Sequence, residues 1–229
     1  GLKWQQPRQV LRVLLGALLI AVTISTAISL FTQRLERSMT DRAAEFLGAD
    51  LVVSSRSPLP DSYAEQAAVN DLMLSRQLEF SSVMASDSAM QLSSVKAVDA
   101  AYPLRGELRI SRSAFAEETA TRSVPAAGEI WVEPRLLNQL GVQVGDSLEV
   151  GYATLRISAV LTHEPDRASD FYSLTPRVLM NLDDLDATGV VQPGSRVTYR
   201  LLLSGERQAL ERYRNWIDPL LAVNQRLYQ

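Results

Sequence analysis

Residues 13–31, VLLGALLIAVTISTAISLF, run for nineteen positions without a charge, and nothing later in the 229-residue chain is as apolar. As a helix such a run spans roughly 28 Å, close to the ~30 Å hydrocarbon core of a bilayer. A signal-peptide apolar region is shorter, about 7–15 residues, and ends at a small-x-small cleavage site. Ala27-Ile28-Ser29 has that form but lies inside the run rather than after it. The expectation is therefore a transmembrane helix over residues 13–31. Lys3, Arg8 and Arg12 precede it without an acidic neighbour, whereas TQRLERSMTDRAAEF behind it mixes both signs. The positive-inside bias then leaves residues 1–12 cytoplasmic and puts residues after about 32 outside. Lys3, Trp4, Arg8 and Arg12 fit a membrane-interface segment, although ordinary flanking charge explains the same residues.

Inside the run, Ala17, Ala21, Ser25 and Ser29 recur every four residues. On a helix they make one smooth stripe, against which a second helix can approach closely and hydrogen-bond to serine. The alternative is chance, in a segment so rich in small residues. Beyond the run, Leu35, Met39, Ala43 and Phe46 or Leu47 keep helical spacing, so residues 32–48 are expected to continue outward as a stalk. Gly48 is placed to stop that stalk as a left-handed cap.

The remainder alternates short strand and helix signals and is expected to be α+β. LVVSS reads as a strand, and Pro60-Asp61 opens a helix to which Tyr63, Ala67, Leu72 and Leu74 contribute apolar positions. LEFSSVMA and MQLSSVKAVDA read as strands joined by a turn at SDS. In the stretch from YPLRGELRI onward, Pro134 suits a first helical turn, Leu136, Leu137 and Leu140 its buried face, and Gly141 its end. Leu148 and Val150, then Leu155, Ile157 and Ala159, alternate as strands around turns at Gly145-Asp146 and Gly151. PRVLMNLDDLD reads as a short helix around its acidic cluster, and SRVTYRLLL as a strand. ERQALERYRNWIDPLL reads as an amphipathic helix with Leu210, Tyr213, Trp216, Ile217 and Leu220 near one side. This order suggests two lobes, an α+β lobe from residues 49–102 and 176–229 and an inserted β-rich lobe over 103–175.

Charge and composition exclude several functions. Residues 1–32 hold three of the 23 basic residues and no acidic one, so the remaining 20 basic and 26 acidic residues leave a net of about −6. That is no footprint for DNA or RNA. With no cysteine, thiolate metal sites and cysteine nucleophiles are absent, and His163 is the lone imidazole. His163 lies near Glu164, Asp166, Ser169 and Asp170, but a lone histidine in a turn-rich polar segment is usually just solvated. No serine, Ser195 included, occupies a G-x-S-x-G elbow. Asp183, Asp184 and Asp186 lack the spacing of a calcium loop and are better explained by a helix N-terminus. No G-x-x-x-x-G-K-[ST] loop is present. No catalytic, cofactor-binding or metal-binding residue is assigned.

The segments LGADLVVSSRSPLP, VKAVDAAYPLRGEL, EPRLLNQLGVQVGDSLEVGYATLRI, HEPD and PRVLMNLDDLDATGVVQPGSRVTYR resemble the first extracytoplasmic domain of YbbP-type permeases, in the FtsX/MacB-like class of ABC transporters. The resemblance implies a bacterial inner-membrane protein with a two-lobed periplasmic domain, a porter-like α+β lobe carrying an inserted β-rich lobe. It also implies a chain that continues through more transmembrane helices and a second similar half. By the same resemblance the function is mechanotransmission. A separate cytoplasmic ATPase subunit holds the ATP and magnesium, and its movement reaches the periplasm to extract or export hydrophobic or lipid-like molecules. A periplasmic acyl esterase is an associated partner in this type, and membrane lipid is in contact. Two other readings stand beside it: a single-span sensor ectodomain signalling through its stalk, and a membrane-anchored hydrolase that depends on His163.

Overall fold

The computed structural model describes residues 15–28, 31, 48–113, 116–170, 175–192 and 194–229. The chain divides into two units, residues 1–43 and 44–229. In the first, residues 15–28 form helix α1. Its leucines, isoleucines and valine, from Leu15 to Ile28, are each more than half exposed around the whole circumference. The hydroxyls of Thr23 and Thr26 donate back to the carbonyls of Leu19 and Val22 at 2.7 and 2.8 Å, which satisfies them without water. No helix among the described residues is long and apolar enough to cross a membrane. Of the small-residue stripe, Ala17, Ala21 and Ser25 lie on α1. Ser29, the segment with Lys3, Trp4, Arg8 and Arg12, and the expected stalk over 32–47 lie outside the described residues.

The second unit is built on one eleven-stranded mixed sheet. Its strands are β1 (Leu51–Ser55), β2 (Met73–Ala85), β3 (Met90–Val98), β4 (Leu108–Ser111), β5 (Thr119–Thr121), β6 (Glu129–Val132), β7 (Ser147–Val150), β8 (Ala153–His163), β9 (Arg177–Asn181), β10 (Val197–Ser204) and β11 (Gln225–Tyr228). They are ordered β11-β1-β10-β2-β3-β9-β6-β8-β4-β5, with β7 pairing β2 and β8. The β3–β9 and β6–β8 pairs are parallel. Helices α2 (Asp61–Val69), α3 (Pro134–Leu140), α4 (Leu185–Thr188) and α5 (Arg207–Ile217) connect them.

Directly paired residues share a face of a sheet. The register therefore sets Leu201, Leu203, Leu78, Phe80, Val95, Ala97, Val178 and Met180 on one side. Helices α2 and α5 cover its β1–β10 end through Tyr63, Ala67, Leu210, Tyr213 and Ile217. The α3 leucines, Leu136, Leu137 and Leu140, cover the rest. Pro134 opens α3 and Gly141, at φ +65°, closes it, as the sequence indicates. On the opposite side Val52, Val98, Trp131, Leu179 and Leu202 are covered by Tyr102 from the connection after β3 and by Leu108 at the start of β4. Since Tyr228 pairs with Val52, the end of β11 lies beside the start of β1.

Three local expectations need correction. Helix α2 stops at Val69, because Asn70 and the positive φ of Asp71 turn the chain. Leu72 is buried in that turn and Leu74 already belongs to β2. Residues 177–181 form strand β9, and only Leu182–Asp184 and α4 wind around the acidic cluster. Helix α5 ends at Ile217, and Leu220, beyond Pro219 in a 3-10 turn, is exposed.

Candidate functional site

His163 closes β8 opposite Arg109 and is exposed. The next residues do not join it. Glu164 and Asp166 turn inward and are buried, while the side chains of Ser169 and Asp170 lie outside the description. The acidic cluster likewise does local work. Asn181 accepts the Asp183 amide at 2.9 Å, and Asp184 accepts the Gly128 amide at 2.8 Å. Among the described residues no group of three or more His, Asp or Glu is placed to hold a metal ion.

The unusual chemistry is a charge cage around Lys96, on the sheet face covered by Tyr102. Strand alternation points Lys96 to the same side as Leu179 and Glu79, its partners on β9 and β2. Its side chain is 0% exposed. The ammonium lies 2.5 Å from Glu164 Oε1, 2.8 Å from each Asp166 oxygen and 3.5 Å from Glu79 Oε1. The Tyr102 hydroxyl donates to Asp166 Oδ1 at 2.7 Å and lies 3.1 Å from Glu164 Oε1. Arg177 extends the cage, with Nε 3.2 Å from Glu164 Oε2 and a 2.9 Å hydrogen bond to the Ser94 hydroxyl. Arg200 meets Glu79 at 3.3 Å. Lys96, Arg177 and Arg200 thus balance Glu79, Glu164 and Asp166.

Burial alone would strip the charge from these groups, and proximity restores it. Burial pulls Lys96 down, but Asp166, Glu164 and Glu79 together hold its ammonium above the ordinary lysine value. Burial pushes Asp166 up, and Lys96, Tyr102 and Arg177 bring it below the ordinary carboxyl range. Glu79 is lowered in the same way, against its burial, by Lys96, Arg200 and Arg177. Burial and the two carboxylates both raise the Tyr102 phenol, so it stays a donor. The side chains of Lys96, Glu164, Asp166 and Arg177 at the centre of the cage are buried. What it can do is fix three pieces of backbone against one another: the central strands β2, β3 and β9, the connection carrying Tyr102, and the crossover carrying Glu164 and Asp166.

Sequence reasoning passed over this site. Lys96 reads as one polar position in a strand, and Asp166 lies 70 positions away. The only local hint is a lysine in the apolar half of MQLSSVKAV.

Residues 13–211 match the MacB-like periplasmic core domain family. Over 226 residues the chain is 34% identical to a protein of Escherichia coli (strain K12) named "Uncharacterized ABC transporter permease YbbP", covering 99% of this chain and 27% of that one. The chain thus spans about a quarter of the length of this curated relative. The extracellular domain of the noncanonic ABC-type transporter YknZ from Gram-positive bacteria superposes with a TM-score of 0.52 at 7% identity, over 78% of this chain and 100% of that domain. The periplasmic region of MacB from Actinobacillus actinomycetemcomitans gives a TM-score of 0.48 at 8% identity, over 81% and 91%. With a match that runs from within the apolar segment to helix α5, the chain belongs to the MacB-like periplasmic core domain family.

Proposed function

We propose that this chain is the first transmembrane helix and first periplasmic domain of an ABC transporter permease of the FtsX/MacB-like class, resident in a bacterial inner membrane. The observation that carries the reading is the 34% identity to an ABC transporter permease across nearly the whole chain. In this reading a cytoplasmic ATPase subunit binds and hydrolyses ATP, and the permease transmits the movement outward to act on a hydrophobic or lipid-like molecule. In this reading the chemistry belongs to the ATPase subunit. Residues 13–31 cross the bilayer, Lys3, Trp4, Arg8 and Arg12 sit at its cytoplasmic surface, and the stripe of Ala17, Ala21, Ser25 and Ser29 meets the remaining helices of the permease. Residues 103–175 act as a β-rich lobe inserted in the porter-like lobe, and an acyl esterase is a periplasmic partner.

The test is to purify the full-length permease from its own membranes and ask whether an ABC ATPase accompanies it. ATP-dependent release of lipid or hydrophobic dye from proteoliposomes is the expected activity. A permease that associates with no ATPase, and whose loss leaves membrane lipid composition unchanged, would sink the proposal.

A further inference from the structure

Gly48, Ala49 and Asp50 lead into β1, and one loop fastens the first and the last of them. The Arg105 amide donates to the Gly48 carbonyl at 2.9 Å. The Arg105 guanidinium forks onto Asp50, with Nε 2.8 Å from Oδ1 and its terminal nitrogen 2.7 Å from Oδ2. Asp50 also accepts the Ser204 hydroxyl at 2.7 Å and the Gly205 amide at 3.1 Å, which ties it to the end of β10. Gly48 itself, at φ +66°, lies against the cage. A Cβ there would stand 3.7 Å from Asp166 Cβ and 3.8 Å from Tyr102 Cε2. The residue that grips the incoming backbone, Arg105, is three positions from Tyr102, which donates into the Lys96 cage.

We propose that the loop of residues 99–106 is a transmission joint, in which Arg105 takes up any displacement of residues 48–50 and Tyr102 passes it to the Lys96 cage and the central strand β3. The joint rests on the permease reading only for the source of the displacement. Its stiffness follows from its parts. A bidentate Arg–carboxylate pair fixes direction as well as distance. Pulling Tyr102 out takes a hydrogen bond from the buried Asp166 carboxylate, and pulling Asp166 out leaves the buried ammonium short of a counter-charge, which is costly. The Asp50–Arg105 pair is half exposed and is the weaker link. Under load that pair gives way before the cage opens, and until it does residues 48–50, the loop, the crossover after β8 and strand β3 move as one body.

Hydrogen exchange on the whole 229-residue chain in lipid nanodiscs tests the joint directly. Tyr102→Phe should speed exchange of the Arg105 and Gly205 amides by about tenfold, the worth of one lost hydrogen bond, while amides of β8 stay unchanged. Arg105→Ala should speed the Asp50 and Gly205 amides by a similar factor and leave Lys96 protected. If Tyr102→Phe changes the Arg105 and Gly205 amides by less than about twofold, the cage and the incoming chain are independent and the joint is refuted. Uniform loosening of the whole sheet in Arg105→Ala refutes it as well. The permease reading stands or falls separately: in the assembled transporter Arg105→Ala should lose transport while ATP hydrolysis persists, whereas a wild-type complex without ATP-dependent transport removes that reading and leaves the exchange result intact.

Discussion

Removing the centre of the cage is the sharpest perturbation available. Lys96→Met keeps the volume and the apolar stem but deletes the ammonium that stands between Glu164, Asp166 and Glu79. Breaking a buried pair from one side costs about 3–5 kcal/mol, because the orphaned carboxylates stay desolvated. For the unit of residues 44–229, at roughly 2–4 °C per kcal/mol, Tm in a thermal melt should fall by about 6–20 °C. The measurement is urea denaturation of wild type and variant at pH 7 and at pH 4.5, followed by tryptophan fluorescence, since Trp131 packs in the layer that Tyr102 covers.

The pH dependence distinguishes electrostatics from lost packing. In the wild type the folded Asp166 and Glu79 carboxyls are lowered, so the folded state binds fewer protons than the unfolded state near pH 4. Their contribution is present above the ordinary carboxyl pKa and is lost as pH falls through the lowered folded values. In Lys96→Met the principal opposing charge is gone, and burial raises the carboxyls instead. Proton uptake then favours the folded variant, and its deficit against wild type should shrink from pH 7 to 4.5. A deficit below about 1 kcal/mol at pH 7, or one that does not change with pH, refutes the cage as an electrostatic unit.

Other positions give shorter tests. Gly151 has φ +61° and an added Cβ would meet the Thr188 carbonyl oxygen at 2.1 Å, so Gly151→Ala should lose at least about 2 kcal/mol in chemical denaturation. Gln77 is buried and its side-chain amide has no hydrogen-bond partner among the described residues. Gln77→Leu should therefore raise stability by about 1 kcal/mol, and a loss of that size in the same assay would show the amide to be satisfied. Ala21→Leu should weaken assembly of the full-length permease on size-exclusion chromatography, whereas unchanged assembly would remove Ala17, Ala21 and Ser25 from any helix contact.

What could be read in advance depended on how local the signal was. Helix α3 was legible because Pro134 and Gly141 act within their own turn, and β7 and β8 because alternation needs only half a dozen residues. Strand β9 was not. Arg177, Val178, Leu179 and Met180 are buried on both faces between β3 and β6, and an apolar run buried on both sides carries no period to separate strand from helix. The sequence does not mark the end of α2, because Leu72 and Leu74 keep an apolar rhythm past the turn made by Asp71. The cage was invisible for another reason. Glu164 and Asp166 stand out only as neighbours of His163, Lys96 is one polar position in a strand, and only the register of β2, β3 and β9 brings Glu79, Lys96 and Arg177 to one side.

A cage of six charges is a poor way to gain stability, since a well-packed apolar cluster of similar volume does as well or better. Its use must lie in direction: apolar side chains tolerate many packings, while Lys96 and Tyr102 accept few arrangements of Glu164 and Asp166. The double variant Lys96→Met/Asp166→Asn separates the two properties. It removes one cation and one anion, leaves Arg177, Arg200, Glu79 and Glu164 in balance, and leaves the Tyr102 hydroxyl a carboxylate in Glu164. Most of the stability lost in Lys96→Met should return, with a coupling energy between the two sites of about 1–3 kcal/mol. The Gly48–Arg105 contact should nevertheless stay loose in hydrogen exchange, because Asp166, which lies against Gly48, no longer has the ammonium that held it in place. Full recovery of both stability and exchange protection would mean that the charges are ordinary packing, and that the geometry at Gly48 is held by the backbone alone.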